Sequence, residues 1–258
     1  SAAQGRAQSV SLVVQSFSDL MNIATPDQPV DVTGVPTDVA VGDLDNNGSL
    51  DMAITLSGSP GSVLLLFNDG AGGFTSSTQI TLGNQPSAVA IGDLDTFTGM
   101  DIAVTNSVDG TMSMLFNDGF GGFSTSTPIV VGTNPTDVEI ADFDQINGDD
   151  LVVVNNGDNQ LRILYNDGNA IPDFETLPAT ILITEEDPLN VDPVDVDKDK
   201  LAHVDLAVTN GTADTVQVFE NTGGAFSLPI SLPVDTNPTR IESGDLDGNT
   251  YPDFVVTN

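Results

Sequence analysis

Along the chain, short runs of aliphatic and β-branched residues alternate with loops rich in Asp, Asn and Gly. No stretch carries the apolar period of an amphipathic helix. The unit is clearest between Pro36 and Gln85, where the pattern predicts four strands. Val39–Val41 and Met52–Leu56 flank an acidic loop, Val63–Phe67 follows the turn cluster 57–61, and Gln79–Leu82 closes the unit. Between the last two strands lie Asn68-Asp-Gly70, read as a tight turn, and Gly72-Gly-Phe74, where the chain restarts.

The unit recurs. Its first loop aspartates are Asp43, Asp93, Asp142, Asp195 and Asp245, at steps of 50, 49, 53 and 50 residues, and each lies seven residues after a proline (Pro36, Pro86, Pro135, Pro188, Pro238). Four strands in about fifty residues is the content of one propeller blade. The expected fold is therefore all-β, a five-bladed β-propeller forming one domain over residues 1–258. Its blades are expected at 36–85, 86–134, 135–187, 188–237 and 238–258. The fifth copy stops after two strands, and Val10–Phe17 and Val30–Val32 lie fifty residues before the third and fourth strands of the first copy. Residues 10–35 are thus expected to complete the last blade, which leaves no open sheet edge. The fourth copy is the least regular. Its loop holds two extra residues, and Pro193 is expected to weaken its first strand.

The first loop reads Asp-x-Asp-x-Asn-Gly-x-x-Asp. It puts carboxylates at positions 1, 3 and 9 and an amide oxygen at position 5, with a glycine to permit the sharp turn. Asp, Asn and Gly also make ordinary β-turns, but five copies in matched register, each running into a strand at the last aspartate, point to a shared ligand. The candidate metal ligands are Asp43, Asp45 and Asp51; Asp93, Asp95 and Asp101; Asp142, Asp144 and Asp150; Asp195, Asp197, Asp199 and Asp205; and Asp245, Asp247 and Asp253. Hard oxygen donors without His or Cys suit Ca²⁺, which tolerates irregular geometry at six to eight ligands. The order resembles the start of an EF-hand loop, but strands flank it, and the twelfth position is Ile54 instead of a glutamate.

Charge narrows the partners. The chain carries 38 Asp+Glu against 5 Lys+Arg, a net charge of −33. Phosphate recognition needs clustered Lys and Arg, so neither nucleic acid nor an anionic membrane surface is an expected partner. The longest apolar runs, such as Val63–Phe67, are far short of a membrane span. With no cysteine, there is neither a disulfide nor a thiolate site. Repeated calcium-type loops favour an extracellular location, where calcium is plentiful.

The Asp-x-Asp-x-Asn-Gly-x-x-Asp loops, the Asn-Asp-Gly turns and the Gly-Gly-Phe restarts together resemble the FG-GAP/VCBS repeat family of integrin α-subunit propellers and many bacterial surface proteins. The resemblance implies calcium between the first two strands of each blade. It implies side-chain ligands at Asp43, Asp45, Asn47 and Asp51 with the carbonyl of Ser49, and at Asp245, Asp247, Asn249 and Asp253 in the fifth copy. The second and third copies depart at position 5, which is Phe97 and Ile146.

Catalytic groups are scarce. His203 is the only histidine and reads as a solvated turn residue. Position 5 of the first strand is Ala40, Ala90, Glu139, Asp192 and Glu242 in successive copies, so three acids converge if those strands line a central channel. Paired carboxylates hydrolyse glycosides, which makes glycosidase activity the weakest of three expectations. The leading one is a non-enzymatic, secreted structural or adhesive module that binds a protein or glycan, or its own kind in a strand-exchanged oligomer or filament. A lectin stands between them, although there is no Trp and only two Tyr, Tyr165 and Tyr251. The recurrent Phe67, Phe74, Phe116, Phe123, Phe219 and Phe226 read as core, and Phe120, where the first copy has Ala71, reads as exposed.

Overall fold

The computed structural model describes residues 34–71, 73–95, 97–197 and 203–258. The expected completion of the fifth blade by residues 10–35 lies almost wholly outside them, as does Asp199. Nineteen strands are present among the described residues, and every regular sheet is an antiparallel meander. The first contains β1 (Val35–Gly42), β2 (Asp51–Ser57), β3 (Ser62–Asn68) and β4 (Phe74–Thr81). The second contains β5 (Pro86–Gly92), β6 (Asp101–Asn106) and β7 (Thr111–Asn117), with its outer strand in two pieces, β8 (Phe123–Thr125) and β9 (Ile129–Val130), both paired to β7. The third is β10 (Pro135–Ala141), β11 (Asp150–Asn155), β12 (Gln160–Leu164) and β13 (Thr180–Ile183). The fourth is β14 (Pro188–Val194), β15 (Asp205–Asn210), β16 (Thr215–Phe219) and β17 (Ile230–Pro233). The fifth is the pair β18 (Arg240–Gly244) and β19 (Asp253–Thr257). The second strand of each repeat begins on the last loop aspartate, as the sequence pattern predicts.

Successive sheets pack face to face. Leu44, Leu65 and Phe67 of the first meet Val89, Ile102 and Leu115 of the second. Met112 and Phe116 meet Leu151 and Leu164 of the third. Phe143 and Ile163 meet Leu206 and Phe219 of the fourth, and Val216 and Val218 meet Ile241 of the fifth. β6, β11 and β15 are buried along their whole length, which explains the unbroken apolar run at their centres (102–104, 151–154 and 206–208). The recurrent phenylalanines are core residues: Phe67, Phe116 and Phe219 are buried, and Phe74, Phe123 and Phe226 pack on the clusters.

The first strands neighbour one another in order, β1 beside β5, β5 beside β10, β10 beside β14 and β14 beside β18. They sit so close that a Cβ on Gly92 would lie 2.4 Å from Cγ2 of Ile140. The relation between the fifth repeat and the first differs. Arg240 reaches Asp38 at 3.3 Å, yet Val39, Leu246 and Val255 stay exposed where their counterparts Val89, Leu94 and Ala207 are buried. Pro36, Val39, Ile54 and Arg240 line a cleft of about 640 Å³ there.

Three expectations need correction. β14 runs through Pro193, which stands opposite Leu206; the strand is its sheet's edge, so the missing N–H removes no ladder bond. β4 starts at Phe74 and not at Gln79, because the polar run 75–78 pairs with β3 although it lacks an apolar signal. His203 is buried, not solvated, since the turn at Gly223 folds over its ring.

Candidate metal centres and the joints between repeats

Each loop brings its carboxylates together. In all five, one ligand atom from each of the three aspartates lies within 4.8 Å of the others: Asp43, Asp45 and Asp51; Asp93, Asp95 and Asp101; Asp142, Asp144 and Asp150; Asp195, Asp197 and Asp205; Asp245, Asp247 and Asp253. Clustered oxygen donors of this kind can hold a metal ion.

The backbone shapes the cluster. Asp43 accepts the N–H of Asn47 at 3.0 Å and of Gly48 at 2.8 Å, and Gly48 takes φ +86°. Asn47 turns its Oδ1 to the N–H of Ser49 at 2.8 Å. In the fifth loop, Asp245 accepts from Gly248 and Thr250, and Asn249 from Tyr251. There position 6 is Thr250 at φ +75°, a left-handed conformation that a β-branched residue adopts only under strain.

The last aspartate does more than the sequence pattern discloses. Asp51, Asp101, Asp150 and Asp205 are buried, and one oxygen of each accepts the N–H at loop position 2 (Leu44, Leu94, Phe143 or Val196) at 2.8–2.9 Å. The other oxygen accepts the N–H of an asparagine ending the third strand or just past it: Asn68, Asn117, Asn166 or Asn221, at 2.7–2.8 Å. Burial pushes the Asp101 carboxyl up to about 6 and that of Asp150 to about 7, as expected for a charge withdrawn from water.

Those asparagines are the residues sequence reasoning missed. Asn117 Nδ2 donates to Met100 O within its own repeat and to Leu44 O of the preceding one, at 3.0 and 2.8 Å. Asn166 joins Asp149 O to Leu94 O, and Asn221 joins Val204 O to Phe143 O. Their recurrence in Asn-Asp-Gly and Asn-Thr-Gly was visible, but it reads equally well as turn chemistry.

The converging acids of the first strands also meet. Burial raises Glu139 to about 9, with further contributions from Asp137, Asp192, Asp38 and Glu242. Asp137, fully buried, is raised to about 7 while accepting from Val191 N–H and Asn190 Nδ2 at 2.8 and 2.6 Å. One level of this wall is stitched side chain to backbone: Asp38 accepts from Val89 N–H and Asn190 from Ile241 N–H. Tyr165 is buried, its hydroxyl bonded to Gly224 O at 3.1 Å, so it offers no stacking surface for a sugar. No helix among the described residues is long and apolar enough to cross a membrane.

None of the curated protein sequences matches this chain. Among solved structures, BBS1N in complex with ARL6DN is similar in two crystals. The one soaked with lead has TM-score 0.58 and 15% identity, and the one soaked with mercury 0.59 and 18%. These cover 86% and 92% of this chain and 62% of theirs. A catalytically inactive virginiamycin B lyase from Staphylococcus aureus with quinupristin is similar at TM-score 0.54 and 14% identity, covering 86% of this chain and 62% of that one. The chain thus spans less than two thirds of the length of each. At such identities the likeness concerns the fold, which is of the β-propeller kind. The family model described as FG-GAP-like repeat matches residues 43–96, so the resemblance read from the loops holds where the first unit passes into the second: this stretch is an FG-GAP-like repeat.

Proposed function

We propose that the chain is a secreted, calcium-binding, five-bladed propeller acting as a non-enzymatic structural or adhesive module. In this reading residues 10–33 supply the outer strands of the fifth blade, and the partner is a protein or glycan surface or another copy of the chain. The observation that carries it is the fivefold recurrence of a convergent aspartate trio in an FG-GAP-like setting. The donor set fits Ca²⁺: it is all oxygen and mostly carboxylate, with no Cys, and His203 of the fourth loop is not among the clustered donors. Asp43, Asp45 and Asp51, with Asn47, would hold the first ion, and Asp245, Asp247 and Asp253, with Asn249, the last. The remaining trios rely on backbone or water oxygen at position 5.

Bound calcium supplies positive charge that offsets the mutual repulsion of the carboxylates. By mass action, each site adds about 2.7 kcal/mol of stability at a hundredfold excess over Kd. Calorimetric titration with calcium tests this: several equivalents bound, with a matching rise in Tm, is expected. An unchanged Tm at saturating calcium would overturn it. Light scattering on a sizing column, with calcium and then chelator, separates a monomer from a calcium-held assembly.

A second reading, glycoside hydrolysis, draws on the raised Glu139 beside Asp192 and Glu242. It requires a sugar-hydrolysing activity that disappears in both Glu139→Gln and Glu242→Gln.

A further inference from the structure

We propose that a depression between the second and third repeats docks a cationic, apolar segment of a partner polypeptide. This deepens the binding-module reading above and rests on it. The depression holds about 530 Å³ and is lined by Phe97, Phe116, Phe123 and Ile171 together with Asp95 and Asp118.

Phe116 and Phe123 are recurrent positions of the repeat, and the rest of the apolar wall comes from departures from it. Phe97 occupies loop position 5, where the first and fifth copies carry Asn47 and Asn249, and its side chain is 56% exposed. Ile171, 63% exposed, belongs to the long connection between β12 and β13. Single exposed apolar residues are ordinary. Here Phe97 and Ile171, from two different repeats, border one concavity, a size and composition suited to binding.

Charge selects the occupant. No Lys or Arg lines the depression. Asp118 is fixed there by the N–H groups of Phe120 and Gly122 on its Oδ1, at 2.9 and 3.0 Å. Asp167 and Asp173 flank Ile171 in its loop. Neither a second copy of this chain, at a net charge of −33, nor a phosphate polymer brings the cations that this depression selects. A segment with Leu or Phe between lysines or arginines matches both features. Its apolar side chain enters the depression, and its cations meet Asp118 and the faces of the phenylalanines.

The test uses the whole chain with calcium and a fluorescein-labelled peptide of Leu and Phe flanked by lysines. Control peptides carry glutamate flanks or a serine core. Fluorescence anisotropy gives affinity, and calorimetry reports calcium binding separately. The lysine-flanked peptide is expected to bind, and Ile171→Ser and Asp118→Asn, neither in a metal loop, are each expected to weaken it by about tenfold or more while calcium binding persists. Neither control peptide is expected to bind. Equal affinity in wild type and both variants, equal binding of the glutamate-flanked peptide, or no binding to calcium-loaded wild type would each overturn the proposal. Discriminating peptide binding without any calcium uptake would support it and refute the calcium reading instead.

Discussion

The side-chain amide of Asn117 lies 2.8 Å from the carbonyl of Leu44, 73 residues earlier, and so ties the third strand of one repeat to the aspartate loop of the one before. The same side chain holds Met100 O, and its backbone N–H serves Asp101. Asn117→Ala leaves the buried carbonyl of Leu44 and the partly buried one of Met100 without this donor and is expected to cost about 2–4 kcal/mol. Asn68, whose side-chain amide donates to Leu50 O of its own repeat, provides the comparison: Asn68→Ala is expected to cost about 1 kcal/mol. Urea denaturation of the two variants gives the difference, and equal losses would contradict a joint between repeats.

The loop aspartates divide into two kinds. Asp43 at position 1 is solvent-accessible and bonds only within its loop, whereas Asp51 at position 9 is buried and bonds Leu44 and Asn68. Asp43→Ala should lower Tm in calcium and hardly at all in chelator. Asp51→Ala should lower stability in both, by about 3–5 kcal/mol, since two buried N–H groups lose a charged acceptor. Thermal scans of both variants under both conditions decide this.

Glu139 and Asp137 hold their protons to about pH 9 and 7, far above the unfolded values near 4. Their contribution to stability is therefore complete below about pH 4 and is lost as pH rises through the folded values, at up to roughly 1 kcal/mol per pH unit for each group. Asp38, Asp192 and Glu242 face Glu139 and reinforce the trend, and Arg240 opposes it at Asp137. In chelator, Tm should fall between pH 5 and 9, and Glu139→Gln should flatten the profile and stabilise the alkaline end. A variant that tracks wild type across this range would show that Glu139 is not buried as described.

Thr250 stands where the first loop has Gly48 and takes nearly the same left-handed backbone, +75° against +86°. Its N–H bond to Asp245 survives substitution, being backbone. Thr250→Gly should stabilise the fold by about 0.5–1 kcal/mol, the strain relieved minus the entropy of the freer glycine. Thr98 holds the same loop position without a positive φ, so Thr98→Gly should destabilise. Chemical denaturation of the pair measures both signs.

The repeat length, the four-stranded unit and the start of each second strand on Asp51, Asp101, Asp150, Asp205 and Asp253 were all legible in the sequence. Each leaves a periodic trace in residue type. The second duty of Asp101 was not, because a buried acceptor and a metal ligand demand the same carboxylate. His203 was misread because burial came from a turn at Gly223, twenty residues on, which no local pattern encodes. The outer strand beginning at Phe74 was shortened in the reading because its Ser/Thr run, residues 75–78, carries no apolar alternation.

The joint has a consequence for how such a chain changes length. Both halves of it, the asparagine after the third strand and the carbonyl at loop position 2, are written within a single unit of about fifty residues. A tandem duplication of one unit therefore brings its own plug and its own socket, and each new boundary is already matched on both sides. Insertion or loss of whole units needs no compensating substitution at the neighbours, whereas a change that shifts Asn117 within its unit spoils the fit to the unit before it.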